Sequence, residues 1–368
     1  MSRIIDYVLW RGDLSFSKDP FNQLDAAIFS QLSILDFDGL IPTGECLPLW
    51  QVFNKYVETG HKVNERVGLF ITNKQNLLFE AISKAPRYKD LLIGNYVHIY
   101  DEKNHCQFEA MTIDLGEKLL ISYGGTDDTI LGWYEDFELL YLDEIPGHIH
   151  GKEYLLEVMD NTEKAILICG HSKGANIAME VLLNAPIECF NRIEKVYCFD
   201  GPGINEKEYT QAVIEGRINK LTSYIPYKAS IGKLFNHYEE YKIVECTANI
   251  AYQHDLLTWH IEKNDFIYKE HLSNDSIYID NHLKKMLDEM CNEERKAFVS
   301  ALFNLLYSTG AKTLMDLYKH GGKLLTNFGK LKKAEKDALN KVFFKKILKD
   351  ARLRKIFTSF VIEFKNRD

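Results

Sequence analysis

Long apolar runs are missing from this chain of 368 residues. No stretch of eighteen or more apolar residues occurs, so no membrane-spanning helix is expected. The amino terminus, Met1-Ser2-Arg3-Ile4-Ile5-Asp6-Tyr7, lacks the basic segment, apolar segment and small-residue cleavage site of a secretory signal. The seven cysteines are odd in number and scattered, with no C-x-x-C pair and no disulfide-scaffold spacing. Cys169 and Cys198 fall inside apolar runs, where cysteine acts as a small buried hydrophobe. Together these absences point to a cytoplasmic, reducing setting. Internal repeats and low-complexity linkers are lacking too, and so is a general excess of positive charge: the net charge is −8. No nucleic-acid partner is expected. Residues 311–368 are the exception, with 16 Lys/Arg against 6 Asp/Glu, which leaves −18 on the rest of the chain. This basic tail is read as docking on the acidic body or as solvated. It is also the feature suited to peripheral contact with an anionic membrane.

What is present supports a large core. Hydrophobic residues make up 46% and aromatics 12%, and the length suits one large domain with additions, or two domains. Residues 1–95 read as mainly helical, with Leu24, Ala27, Ile28, Gln31, Leu32 and Leu35 at helical spacing before the breakers Asp38-Gly39 and Pro42. Strand signals follow at 95–100, 107–113 and 119–123, the last two joined through Asp114-Leu115-Gly116-Glu117 as a hairpin. Later strands at 195–199, 221–225 and 241–246, together with helices near 151–162 and 174–184, imply a largely parallel sheet flanked by helices. From about 275 onward the pattern is helical again.

The most informative stretch is Ala165-Ile166-Leu167-Ile168-Cys169-Gly170-His171-Ser172-Lys173-Gly174-Ala175-Asn176-Ile177-Ala178. An apolar run ends in G-x-S-x-G and a helical pattern starts directly after it. This is the layout of a nucleophile elbow, where a strand turns sharply into a helix and presents one serine at the bend. Glycines suit the positions two before and two after that serine, because the strand and helix backbones approach too closely for a β-carbon.

A serine hydroxyl needs a histidine to take its proton and a carboxylate to hold that histidine in the right tautomer. The α/β-hydrolase order is Ser, then Asp or Glu, then His, each at the carboxyl end of a strand. Asp200 directly follows the first strand after the elbow, in Asp200-Gly201-Pro202-Gly203. Among the later histidines, His254 lies a few residues beyond the strand at 241–246, where a catalytic loop belongs. His237 is the alternative; it precedes that strand and sits beside Glu239 and Glu240, as in a solvated turn. Asp255, adjacent to His254, is badly placed to orient it. The oxyanion hole needs two backbone N–H groups. One comes from the residue after the nucleophile, Lys173, and the other from the glycine-containing loop Tyr123-Gly124-Gly125-Thr126-Asp127-Asp128.

These residues carry a resemblance. Ile121-Ser122-Tyr123-Gly124-Gly125-Thr126 and the following Gly132-Trp133-Tyr134-Glu135-Asp136-Phe137 resemble the A-F-R-G-T…W…D block of the class 3 (fungal-type) lipases. Gly170-His171-Ser172-Lys173-Gly174 resembles their G-H-S-L-G-G elbow. The chain is more similar still to a bacterial, lipase-like α/β-hydrolase branch of that superfamily, of unknown function. That branch shares the segment Tyr7-x-x-Trp10-Arg11-Gly12-Asp13-Leu14-Ser15-Phe16, the turn Phe199-Asp200-Gly201-Pro202-Gly203 and the segment Gln253-His254-Asp255…Trp259. The resemblance implies that Thr126 supplies the second oxyanion N–H and that Ser172 and His254 are nucleophile and base. Three departures stand out. Gly124 replaces an arginine, Ala175 replaces a second glycine, and Ser223-Tyr224-Ile225-Pro226 offers no carboxylate where the class 3 acid would stand. Asp200 is therefore the candidate acid.

Two smaller clusters carry other chemistry. His148-Ile149-His150 could aim two imidazoles at a metal, but nothing completes the site, and a surface loop is the expected reading. Asp127-Asp128 with Glu135-Asp136 fits no Ca²⁺ loop and reads as helix N-terminal charge. No metal and no cofactor are expected. Phe343, Phe344, Ile347 and Leu348, then Ile356, Phe357, Phe360 and Val361, form helical apolar stripes read as packed on the body, with an interfacial helix as the functional alternative. The expected architecture is an α/β-hydrolase core at 96–270 with a helical segment at 1–95 packed on it and a basic helical extension at 271–368. The expected activity is that of a lipase- or esterase-like serine hydrolase acting on a small-molecule ester or lipid substrate. The alternatives are an inactive hydrolase-fold protein that binds a lipid or acyl ligand, and an acyltransferase or thioesterase using the same triad.

Overall fold

The structure, a computed structural model, describes residues 2–354 apart from 70, 205–208, 212, 214, 250–251, 320–321 and 343–348. Its centre is a nine-stranded sheet. In chain order the strands are β1 (Cys46–Pro48), β2 (Leu92–Asp101), β3 (Cys106–Asp114), β4 (Lys118–Tyr123), β5 (Ala165–His171), β6 (Ile193–Phe199), β7 (Leu221–Pro226) and β8 (Tyr241–Val244). The small strands β9 (Ile261–Glu262) and β10 (Asp265–Phe266) form a separate hairpin, and β11 (Tyr268–Lys269) closes the far edge of the sheet. Strands β4 to β8 run parallel, whereas β1 to β4 and the β8–β11 pair are antiparallel. This mixed sheet, with a strand–serine–helix turn at its centre, is the α/β-hydrolase arrangement. Strand β1 was not legible in the sequence, because three residues, Cys46 exposed and Leu47 and Pro48 partly buried, carry no alternation.

The core strands are apolar on both faces because helices cover both. Leu167 and Cys169 of β5 pack into one cluster with helices α1 (Ile4–Arg11), α2 (Gln23–Leu32), α3 (Leu49–Glu58) and α4 (Lys74–Lys84). Ile166 and Ile168, on the opposite face, pack with α6 (Pro146–Asp160) and α7 (Lys173–Asn184). The period of two along a strand makes this division, and each fully buried Leu or Ile is worth about 1.5–3 kcal/mol. Helix α5 (Ile130–Glu138) lies between the sheet and the carboxyl-terminal helices, sharing a third cluster with Phe298, Val299 and Phe303. Beyond β11 the elements among the described residues are helices, apart from an isolated bridge between Thr129 and Thr313.

Helix α2 departs from the one-sided stripe that its spacing suggests. Every residue from Leu24 to Leu32 is buried. Its amino terminus is capped by the Asn22 side chain, which accepts from the N–H groups of Leu24 and Asp25. Asp25 is fully buried and pairs with Arg87, whose Nη2 lies 2.6 Å from Oδ2 and whose Nε lies 2.9 Å from Oδ1. Arg87 also donates to the carbonyls of Leu14 and Asp19, and its guanidinium lies 4.1 Å from the Phe16 ring centroid. The amino-terminal Trp10–Phe16 segment is thereby tied to α2 through the turn that follows α4.

Two expectations need correction here. His148 and Ile149-His150 do not form a surface loop. They begin α6, and His148 is buried with its Nε2 2.6 Å from Asn176 Oδ1. Burial is the main cause that pulls the His148 pKa down to about 4. His237 is not in a solvated turn either; its side chain is buried against Glu239 at 2.8 Å. The stripe residues Phe343, Phe344, Ile347, Leu348, Ile356, Phe357, Phe360 and Val361 lie outside the described residues.

Candidate active site

Ser172 stands between β5 and α7 with φ +57° and ψ −124°, a backbone conformation that L-residues rarely adopt. Its N–H donates to the Phe199 carbonyl at 3.0 Å, which ties the bend to the neighbouring strand β6. A β-carbon on Gly170 would run into the backbone of Gly174, and one on Gly174 into the carbonyl of Tyr123. Both glycines of G-x-S-x-G are thus required by close approach rather than by their own dihedral angles.

The structure brings Ser172, Asp200 and His254 together. His254 Nε2 lies 2.9 Å from Ser172 Oγ, and His254 Nδ1 lies 2.6 Å from Asp200 Oδ2. Asp200 is buried at the end of β6, with its own N–H donating to Tyr224 O and its Oδ1 accepting from Gly232 N–H at 3.0 Å. The fixed carboxylate leaves one oxygen for the imidazole.

The loop that carries His254 is held by residues whose roles the sequence did not disclose. Gln253, fully buried, donates to the carbonyls of Cys246 and Ala248 and accepts from Lys228 N–H. Trp259 Nε1 donates to Gln253 O at 2.6 Å. His171 Nε2 donates to His254 O at 2.7 Å, and the two rings lie 4.5 Å apart. Burial, then the neighbouring His254, hold the His171 pKa well below its ordinary value, so that ring stays neutral. Asp255 points elsewhere, towards Lys74 at 3.5 Å. His237 and Glu239 form a separate pair with Ser223, whose Oγ donates to Glu239 at 2.6 Å. Ser223, in the segment where the class 3 acid would stand, is thus bound to a different carboxylate.

Thr126 and Lys173 line the same cavity as Ser172 and His254. The glycine loop passes directly beside Ser172: a β-carbon on Gly125 would sit 2.9 Å from His171 O and 3.8 Å from Ser172 Cβ. Gly124 has a local reason for replacing arginine. A β-carbon there would meet Ser33 O at 2.6 Å and Glu109 Cβ at 2.7 Å, so α2 and β3 fill the space an arginine would need. Ala175 is accommodated by Gly201 opposite, where an added β-carbon would come within 2.5 Å of the Ala175 methyl. The Thr126 hydroxyl donates to Asp136 Oδ2 at 2.5 Å, and burial is the main cause that pushes the Asp136 carboxyl up to about 6.

The Lys173 side chain was not anticipated. It turns back into the core, with Nζ 2.9 Å from Glu135 Oε2, 2.6 Å from Gln107 O and 2.5 Å from Gln107 Oε1. Both members of the ion pair are buried. Burial disfavours the ammonium, but Glu135 and Asp136 outweigh it and raise the Lys173 pKa above its ordinary value. Glu135 also accepts from the N–H groups of Gln107 and Gly147, joining β3, α5, α6 and the start of α7. Asp127 and Asp128 act locally: Asp127 accepts from Thr129, and Asp128 from the N–H groups of Leu69 and Met315. Breaking a buried pair strands the other charge, which costs about 3–5 kcal/mol. Lys173→Met is expected to lower unfolding stability by that amount, and Lys173→Met with Glu135→Gln to recover most of it. Urea unfolding of the two variants checks this; a double variant as unstable as the single would contradict it.

The cavity has a volume of about 360 Å³, and its walls include Trp133, Phe137 and Leu140 from α5 and Ile231, Leu234 and Phe235 from the loop after β7. Helices α2 and α4 contribute Gln31 and Gln75, whose amides bond each other at 3.1 Å. Sequence periodicity could assign these residues to elements but not to a shared wall. Among the described residues, no helix is long and apolar enough to cross a membrane.

Solved structures similar to this chain include an MDLA mutant from Penicillium cyclopium, at 12% identity and a TM-score of 0.41, covering 70% of this chain and 87% of that one. The lipase–propeptide complex of Rhizomucor miehei shows 14% identity and a TM-score of 0.36, covering 61% and 68%. The Lip2 lipase of Yarrowia lipolytica shows 11% identity and a TM-score of 0.35, covering 65% and 84%. No curated protein sequence matches the chain. A sequence model of one family does match, over residues 82–304, a span that runs from the end of α4 through every strand of the sheet but β1, with Ser172, Asp200 and His254, into the carboxyl-terminal helices. By that match over more than half of its length, the chain belongs to the Mbeg1-like family.

Proposed function

We propose that this protein is a serine hydrolase that cleaves carboxylic esters, lipid esters included, with Ser172 as nucleophile, His254 as base and Asp200 as the orienting acid. The observation that carries the reading is the unbroken relay from Asp200 Oδ2 through His254 to Ser172 Oγ, with links of 2.6 and 2.9 Å. Ser172 Oγ attacks the ester carbonyl while its proton passes to His254 Nε2, and Asp200 stabilises the imidazolium. The developing oxyanion lies by the N–H groups of Lys173 and Thr126, at the positive end of α7. Collapse expels the alcohol, which takes the proton from His254, and water then releases the acid by the same route in reverse. The apolar wall from Trp133, Phe137 and Leu140 suits the acyl portion.

A fluorescent fluorophosphonate, followed by a p-nitrophenyl ester series of increasing acyl length, tests this. The wild-type protein is expected to be labelled covalently and to turn over esters, and His254→Ala to do neither. A wild-type protein that takes no label would overturn the assignment and leave the cavity as a ligand-binding site.

A further inference from the structure

We infer that Gln31 is a specificity-determining residue of the Ser172 cavity, donating a hydrogen bond to an acceptor oxygen on the alcohol portion of the ester. This deepens the hydrolase reading and rests on it. The starting point is a polar residue in an apolar stripe. Gln31 falls at the same helical spacing as Leu24, Ala27, Ile28, Leu32 and Leu35, and only 1% of it is exposed. A buried amide costs free energy unless its N–H groups are bonded. Gln31 lines the cavity that holds Ser172 and His254.

The bonds around Gln31 fix which end of its amide is unspent. Lys74 N–H donates to Thr72 Oγ1 at 3.3 Å, and the Thr72 hydroxyl donates to Gln75 Oε1 at 3.2 Å. Gln75 Nε2 then donates to Gln31 Oε1 at 3.1 Å. Reversing both amides would leave the Thr72 hydroxyl accepting twice, with its own proton unused by Gln75. This run of bonds therefore ends in Gln31 Nε2, a buried donor with no hydrogen-bond partner among the described residues. Native cores satisfy nearly all such groups. A donor left over at a cavity wall is accounted for by an acceptor that arrives with the ligand.

The neighbours of Gln31 place that acceptor on the alcohol side. The leaving alcohol must lie at His254, because it takes its proton from Nε2. Asp255, next in the chain to His254, also lines the cavity, and its carboxylate lies 3.5 Å from Lys74 Nζ. Lys74 and Gln75, consecutive residues of α4, thus hold Asp255 and Gln31 respectively. Gln31 therefore belongs to the polar part of the wall beside the His254 loop, whereas Trp133 and Phe137 of α5 form the apolar part. The alcohol selected is one bearing an ether, hydroxyl or carbonyl oxygen. A plain alkyl alcohol leaves the buried donor unpaired and is disfavoured for that reason.

Steady-state hydrolysis of matched hexanoate esters by the full-length protein tests this: 2-methoxyethyl against butyl, and 3-methoxypropyl against pentyl. Within each pair one methylene is replaced by an oxygen that accepts and cannot donate, and the two pairs set that oxygen at two reaches. The wild-type protein is expected to favour at least one ether ester in kcat/KM by about fivefold or more, after division by the ratio of the hydroxide-catalysed rates. Gln31→Met, of similar length and without a donor, is expected to lose that preference, and Gln31→Leu to lose it likewise. A mere packing defect would slow both members of a pair alike. No preference for either ether ester in the wild-type protein, or a preference that survives both variants, would overturn the subsite and leave the hydrolase reading standing. Absence of turnover with every ester would overturn the subsite together with that reading.

Discussion

Ser172→Ala is expected to lower kcat for ester hydrolysis by about 10⁴–10⁶-fold and to abolish fluorophosphonate labelling. The substitution isolates the chemistry from the fold. Ser172 sits at φ +57°, and alanine meets the same steric cost there as serine, so the strain of the bend is unchanged. The hydroxyl bonds His254, so its removal strands no buried donor in the core. Equal thermal unfolding of the two proteins, together with lost turnover, is the expected pair of results. Residual turnover above background in Ser172→Ala would assign the activity to another group.

Asp200→Asn is expected to reduce kcat by about 10⁴-fold with little change in stability. Asparagine tolerates the positive φ of +44° found at this position. Its carbonyl oxygen can keep accepting the Gly232 N–H that Asp200 Oδ1 now accepts. The amide nitrogen then faces His254 Nδ1 and donates to it, which places the imidazole proton on Nε2. That tautomer cannot take the proton of Ser172. The loss should therefore fall on kcat rather than on KM, and steady-state kinetics on a soluble p-nitrophenyl ester separates the two. A loss below about tenfold would point to a different acid. Glu239, the buried carboxylate beside Ser223, already serves His237 and Tyr209 and does not touch His254.

The elbow was legible because its signal is local. An apolar strand, two glycines two residues either side of a serine, and an apolar helix must be contiguous for the bend to form, so a short window contains all of it. Asp200 could be named from its place at the end of the next strand, and His254 from its loop beyond β8. In each case the topology of a parallel sheet sets the position, since β4 to β8 deliver their carboxyl ends to one edge. The expected helix at 174–184 and strands at 119–123 and 195–199 correspond to α7, β4 and β6.

What the sequence alone determined about this protein is thus the alternation of strands and helices, the elbow, and the residue types available at the strand ends. Only the tertiary structure decided which side chains face one another across long separations in sequence. It turned Lys173 inward onto Glu135, set α2 against the glycine loop so that Gly124 could not be larger, and paired His237 with Glu239 rather than with Ser172. Periodicity states that a residue is buried or exposed, but burial is satisfied equally by many partners. The choice among them rests on which orphaned charges and hydrogen-bonding groups the packed layers bring within reach.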